Sequence, residues 1–175
     1  MSEIARLGAV GREADVAFSS PLSFEAFFEV EKDQLYRALC LVTRNRYEAE
    51  DLTQEAFVKV LEHWDRVAAL EDPHGYLYRT AMNGFRRRYG RAKMAAKRSL
   101  RLAPSDDQMA EIDERDAALR ALAALSPRQR AAVVLTDMLG FTSEQAARML
   151  GIRASTLRMH ASRAHAALKE TMSRE

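Results

Sequence analysis

The sequence predicts an all-α protein of two small helical domains joined by a flexible linker, the C-terminal one a helix-turn-helix. Apolar residues recur at three- and four-residue spacing in successive blocks, the period of a helix with one buried face. Helix-start and helix-stop signals separate the blocks, and only 7 Gly and 4 Pro occur among the 175 residues, few for a β protein rich in turns. Charge also changes sign abruptly in mid-chain. Between Pro73 and Ser105 there is no acidic residue, while Arg79, Arg86, Arg87, Arg88, Arg91, Lys93, Lys97, Arg98 and Arg101 all occur; Asp106, Asp107, Glu111, Asp113, Glu114 and Asp116 then follow. With the loss of periodicity over 93–112 and the run Pro104-Ser105-Asp106-Asp107, this switch marks a linker between units 21–92 and 113–175, behind an aperiodic extension at 1–20.

Ser23 is placed to cap a first helix over about 24–44, with Phe24, Phe27, Phe28, Leu35, Leu39 and Val42 on its apolar side. A second is expected over 47–64: Glu48, Glu50 and Asp51 suit the positive end of its dipole, and Leu52, Ala56, Val60 and Trp64 form its stripe. Asp72-Pro73 reads as an N-cap with proline in the first turn, opening a third helix to about 89 with Leu77, Ala81 and Phe85 inward and Arg79, Asn83, Arg86 and Arg87 outward. After the linker a helix is expected over 113–125. Ser126-Pro127-Arg128-Gln129 has the form of a capping box and opens another, to Leu139-Gly140. Thr142-Ser143-Glu144-Gln145 repeats that signature before a short helix ending at Gly151, and a last helix over 154–170 carries Leu157, Ala161, Ala164 and Leu168 on one face.

Composition narrows the function. A single cysteine, Cys40 within an apolar run, excludes a disulfide framework or a cysteine zinc cage and reads as buried packing. Neither a signal-peptide run nor a membrane-spanning run occurs, so a cytoplasmic protein without membrane insertion is expected. His63, His74, His160 and His165 lack metal-ligand spacing, and no nucleophile accompanies the acidic residues of the second helix. No cofactor, metal, catalytic residue or small-molecule substrate is assigned. The net charge of +2 says little by itself; its distribution says more.

The short capped helix, glycine turn and longer helix at the C-terminus have the layout of a helix-turn-helix. The outer face of the last helix offers Ser155, Thr156, Met159, His160 and Arg163, and Arg153, Arg158 and Arg163 supply the positive charge that phosphates require. Arginines interleaved with Tyr76, Tyr78, Phe85 and Tyr89 in the third helix suit a second nucleic-acid contact, in which cations hold phosphates while a ring or Asn83 meets an unstacked base. Asp51, Gln54, Glu55 and Glu62 read as a protein-docking surface.

In this order the elements closely resemble those of extracytoplasmic-function (ECF) sigma factors, over about residues 24–169. Glu50-Asp51-Leu52-Thr53-Gln54-Glu55-Ala56-Phe57 is similar to the family's EDL-x-QE-x-F signature. The resemblance implies that Asp51, Leu52, Gln54 and Glu55 grip the clamp helices of the largest subunit of core RNA polymerase. Gly75 to Asn83 resembles the family's WLYRIARN run, with Tyr76 in place of tryptophan, and implies −10 recognition by Asn83, Arg86, Arg87, Arg88 and Tyr89. Leu125-Ser126-Pro127-Arg128-Gln129-Arg130 and the run from Phe141 to Ile152 resemble the opening and helix-turn-helix of the family's second domain. That implies −35 binding by Arg153, Ser155, Thr156, Arg158, Met159, His160 and Arg163, in a stretch that departs from the usual GTVKSRLHRAR. An anti-sigma partner is also expected from the family.

Other readings compete at this point. The same C-terminal unit suits a conventional regulator that binds an operator as a dimer without being a polymerase subunit. A helical adaptor with no DNA role and a nucleic-acid-processing enzyme are further options. A stable complex with polymerase core separates the sigma reading from the first two, and the enzyme would require metal-dependent turnover.

Overall fold

The structure, a computed structural model, describes residues 23–98 and 117–173. The expectations for 1–20 and for most of the linker lie outside the described residues. The Ser23 hydroxyl accepts from Ala26 N–H to open α1 (Phe24–Thr43), which Arg44 closes in the left-handed conformation with its N–H on the Cys40 carbonyl. The Asn45 side chain accepts from Glu48 N–H to start α2 (Arg46–Glu62). Trp64 does not continue this helix as expected: the chain breaks at His63, and Trp64 opens a separate short helix, α3 (Trp64–Ala68). This turn carries the indole back onto α1, where it meets Phe24 edge-on at 5.5 Å and Phe27 at 5.2 Å.

The third expected helix, α4 (Pro73–Arg98), runs beyond both its expected end and the linker boundary at 92. Residues 91–95 are exposed, so no core face holds this extension; alanine, methionine, lysine and arginine are strong helix formers and carry it on propensity. In the C-terminal half, α5 (Ala117–Ala123) precedes α6 (Pro127–Val133), whose start is a complete capping box between Ser126 and Gln129. The expected regular helix to Leu139 instead widens into a π-helical turn at Val134–Met138, with Leu139 N–H reaching back to the Val134 carbonyl. A second capping box, Thr142 with Gln145, opens α7 (Ser143–Leu150); Gly151, at φ 60°, ends it before α8 (Ala154–Ser173). Among the described residues no helix is long and apolar enough to cross a membrane.

The two halves share a core. Phe141 stacks on His74 at 5.2 Å and packs against Tyr78 at 5.4 Å. His74 Nδ1 lies 2.8 Å from Glu31 Oε2, and burial drives the Tyr78 phenol far above its ordinary pKa, the Glu31 charge adding to this. Arg130 is only 1 % exposed. Its Nε donates to the Val42 carbonyl at the end of α1, 3.1 Å away, and its Nη1 to the Leu125 carbonyl at 2.6 Å, so one guanidinium ties the halves together.

Candidate functional site

The exposed side of α2 presents Asp51, Gln54 and Glu55, and Gln54 Nε2 donates to Glu50 Oε1 at 3.3 Å. Leu52 must be withdrawn from this set. It is 1 % exposed and packs so closely beneath α4 that a Cβ on Gly84 would fall 2.8 Å from its Cδ2. Its alternation with Asp51 is that of an amphipathic helix: the apolar neighbour anchors, the polar ones face out. Sequence reasoning missed Tyr47, Val58 and Leu61, exposed apolar side chains of α2 that extend the row through Asp51 and Gln54. Their signal was available, since all three fall off the Leu52-Ala56-Val60 stripe.

On α4, Asn83, Arg86 and Arg87 are exposed, as their spacing predicted. Arg86 Nη1 donates to Asn83 Oδ1 at 3.2 Å, and half-buried Tyr89 stacks on Phe85 at 6.0 Å. Tyr78 and Phe85 are buried in the core, whereas Tyr76 and Tyr89 are partly exposed. A groove of about 820 Å³ runs along this face, lined on one side by Asn83, Arg86, Arg87, Tyr89 and Lys93 and on the other by Arg128, Leu150, Gly151 and Ile152. The −10 candidates therefore face the turn that precedes the last helix, where a Cβ on Gly151 would lie 2.3 Å from Arg86 Nη1, while the −35 candidates are not among the groove's lining residues. Arg88 is not brought to the groove. Its guanidinium turns to α2 and bonds Glu55 and Asp51. Burial raises the carboxyl pKa of Glu48, one turn earlier, against the opposing pull of Arg88.

In α8 and the turn before it, Arg153, Ser155, Arg158, Met159 and Arg163 are exposed, while Thr156 and His160 are half-buried. Arg158 Nη1 donates to Glu144 Oε1 at 3.0 Å. The Glu144 carboxyl is held below its ordinary value first by its own backbone N–H at the α7 N-terminus and then by Arg158. Burial holds His160 below the usual imidazole value, and the charges of Arg128 and Arg163 act in the same sense. The face therefore offers permanent cations beside a neutral imidazole at neutral pH, a combination fit for phosphates and base edges.

Comparison with known proteins agrees with this architecture. The sigma-70 region 2 family matches residues 27–94, and the sigma-70 region 4 family matches 115–168. The RNA polymerase sigma-E factor of Streptomyces avermitilis is 29% identical over 160 residues, covering 90% of this chain and 89% of the relative. The ECF RNA polymerase sigma factor SigM of Mycobacterium tuberculosis is 31% identical over 147 residues, covering 83% of this chain and 75% of the relative. Among solved structures, the fold is similar to that of the sigma factor RpoE in complex with the anti-sigma factor NepR from Bartonella quintana, with a TM-score of 0.67 and 24% identity over 86% of this chain and 96% of that one. CnrH in complex with the cytosolic domain of CnrY gives a TM-score of 0.55 at 18% identity, over 98% and 96% of the two chains. The chain belongs to the ECF group of RNA polymerase sigma factors, non-enzymatic initiation factors that direct polymerase to promoters.

Proposed function

We propose that Asp51, Gln54 and Glu55 dock the chain on the clamp helices of the polymerase largest subunit, and that the groove face of α4 holds the opened −10 strand through Asn83, Arg86, Arg87 and Tyr89. Arg153, Ser155, Thr156, Arg158, Met159, His160 and Arg163, at the N-terminal part of α8 and just before it, read the −35 duplex. The observation that carries the reading is the outer face of α4, where an amide and two guanidinium groups stand exposed beside a half-buried tyrosine, the mixture that binds phosphates and an unstacked base together. Docking supplies the polymerase, strand capture favours the melted state, and duplex contacts fix position; none of these steps needs a reacting group. The protein works in the cytoplasm with core polymerase and promoter DNA. An anti-sigma partner is supported by the fold neighbour RpoE, solved with the anti-sigma factor NepR, and it would cover these same faces.

Run-off transcription with core polymerase on genomic fragments tests the assignment. Discrete starts are expected from the wild type, lost with Asp51→Ala/Glu55→Ala and weakened with Arg158→Ala/Arg163→Ala. Specific duplex binding without core, and no starts with it, would overturn the reading in favour of an operator-binding regulator.

A further inference from the structure

Three consecutive arginines on α4 do not share one environment. Arg86 and Arg87 stand exposed at the groove, whereas the Arg88 side chain retains 21% exposure and crosses to α2. There its Nη2 bonds Glu55 Oε1 and its Nη1 lies 3.4 Å from Asp51 Oδ2. The backbone is built for this crossing: Gly84, one turn before Arg88, lets α4 press against Leu52, which lies between the two carboxylates on α2. Asp51 and Glu55 are 65% and 48% exposed at their side chains and lie one helical turn apart, a spacing at which like charges repel. The planar fork of an arginine can hold both, one nitrogen to each, where the ammonium of a lysine offers only a point charge.

We propose that Arg88 serves the polymerase-docking face and not the opened strand: it is a positioning residue that fixes Asp51 and Glu55, before polymerase arrives, in the orientation that docking uses. This rests on the reading of those carboxylates as docking groups. Holding two mobile side chains beforehand removes the entropy that their immobilisation would otherwise cost on binding, so freeing them weakens docking by about three- to tenfold. The strand side loses nothing, because the guanidinium faces away from the groove.

The test is fluorescence anisotropy of the labelled full-length chain, titrated with core polymerase and, separately, with a mixed-sequence single-stranded DNA of 12 nucleotides at several salt concentrations. Arg88→Gln should weaken core binding by about three- to tenfold, with Arg88→Lys intermediate. It should have no further effect in an Asp51→Asn/Glu55→Gln background, and the thermal transition should stay where it is. Strand affinity should change less than twofold with an unaltered salt slope. Arg88 is a strand contact instead if Arg88→Gln spares core binding and lowers the salt slope by about 0.7, the value of one phosphate contact on a single strand. Additive losses from Arg88→Gln and the carboxylate pair would equally overturn the positioning role. If Asp51→Asn/Glu55→Gln leaves core binding intact, the docking assignment fails; if that pair weakens binding and Arg88→Gln does not, only the role of Arg88 fails.

Discussion

Replacing Arg130 with methionine removes the guanidinium while keeping most of the side-chain volume, and it tests whether the two halves unfold as one. Arg130 is almost fully buried and donates to Leu125 inside its own half and to Val42 in the other. A hydrogen bond from a charged donor contributes about 1.5–3 kcal/mol, and each buried carbonyl that loses its donor retains its desolvation cost. Loss of both bonds therefore amounts to about 3–6 kcal/mol, a large share of the roughly 5–15 kcal/mol that stabilises a typical protein. The chain has one tryptophan, Trp64, packed among Phe24 and Phe27, so its fluorescence follows the N-terminal half, while far-ultraviolet circular dichroism follows all helices. In urea the two wild-type transitions should coincide. In Arg130→Met the dichroism should begin to fall first, as the C-terminal half melts, and the Trp64 transition should lag behind it. Coincident transitions, displaced by less than about 1 kcal/mol, would refute the role assigned to Arg130.

Two other perturbations follow from the same geometry. Gly151→Ala places a side chain where φ is 60°, so it should cost about 1–2 kcal/mol in urea unfolding, the nearby Arg86 guanidinium being the far end of a flexible side chain that can swing aside; a neutral result would show that residue 151 does not hold the left-handed conformation in solution. Because His160 titrates below the ordinary imidazole value in the folded chain, the unfolded chain takes up a proton first, and stability falls as pH drops through about 6.5 toward the folded value, with no such loss above it. His160→Gln should lessen that loss between pH 7.5 and 5.5 in urea midpoints; an unchanged pH slope would contradict the burial of its ring.

Most of the fold was written in local signals. Ser23, Ser126 and Thr142 each stand before a periodic apolar block, and each caps a helix in the structure, two of them through reciprocal boxes. The break at His63 was not legible, because Trp64 fits the α2 stripe equally well at i+4, and only the aromatic site offered by Phe24 and Phe27 pulls it into a new turn. Nor was the π-helical turn at Val134–Met138, where apolar Val134, Leu135 and Met138 suit the spacing of an ordinary helix equally well. The exposed positions of Asn83, Arg86 and Arg87 followed from period alone. The direction taken by Arg88 did not: its position borders both faces, and the deciding contact comes from α2, more than thirty residues earlier.

The shared core places a requirement on the proposed function. A compact chain of this length has a radius of gyration of about 16 Å. Elements centred at −10 and −35 are separated by about 25 base pairs, or about 85 Å of duplex at 3.4 Å per pair. The arrangement in which Phe141 stacks on His74 and Arg130 bonds Val42 therefore cannot be the one that reads both elements. On the proposed assignment those contacts part on the polymerase, and with them the approach of Arg86 to Gly151 at the groove beside the −10 candidates. Opening thus releases the strand-binding face and extends the reach of α8 in one step. The free energy that parts the halves has to come from surfaces that remain exposed while they are closed. The α2 face qualifies, since Asp51 and Glu55 are exposed in the closed arrangement; Asn83, Arg86 and Arg87 are exposed too, but along a groove whose other wall comes from the C-terminal half. On the proposed reading, docking through α2 is the step that can come first, and strand capture is completed once the groove opens.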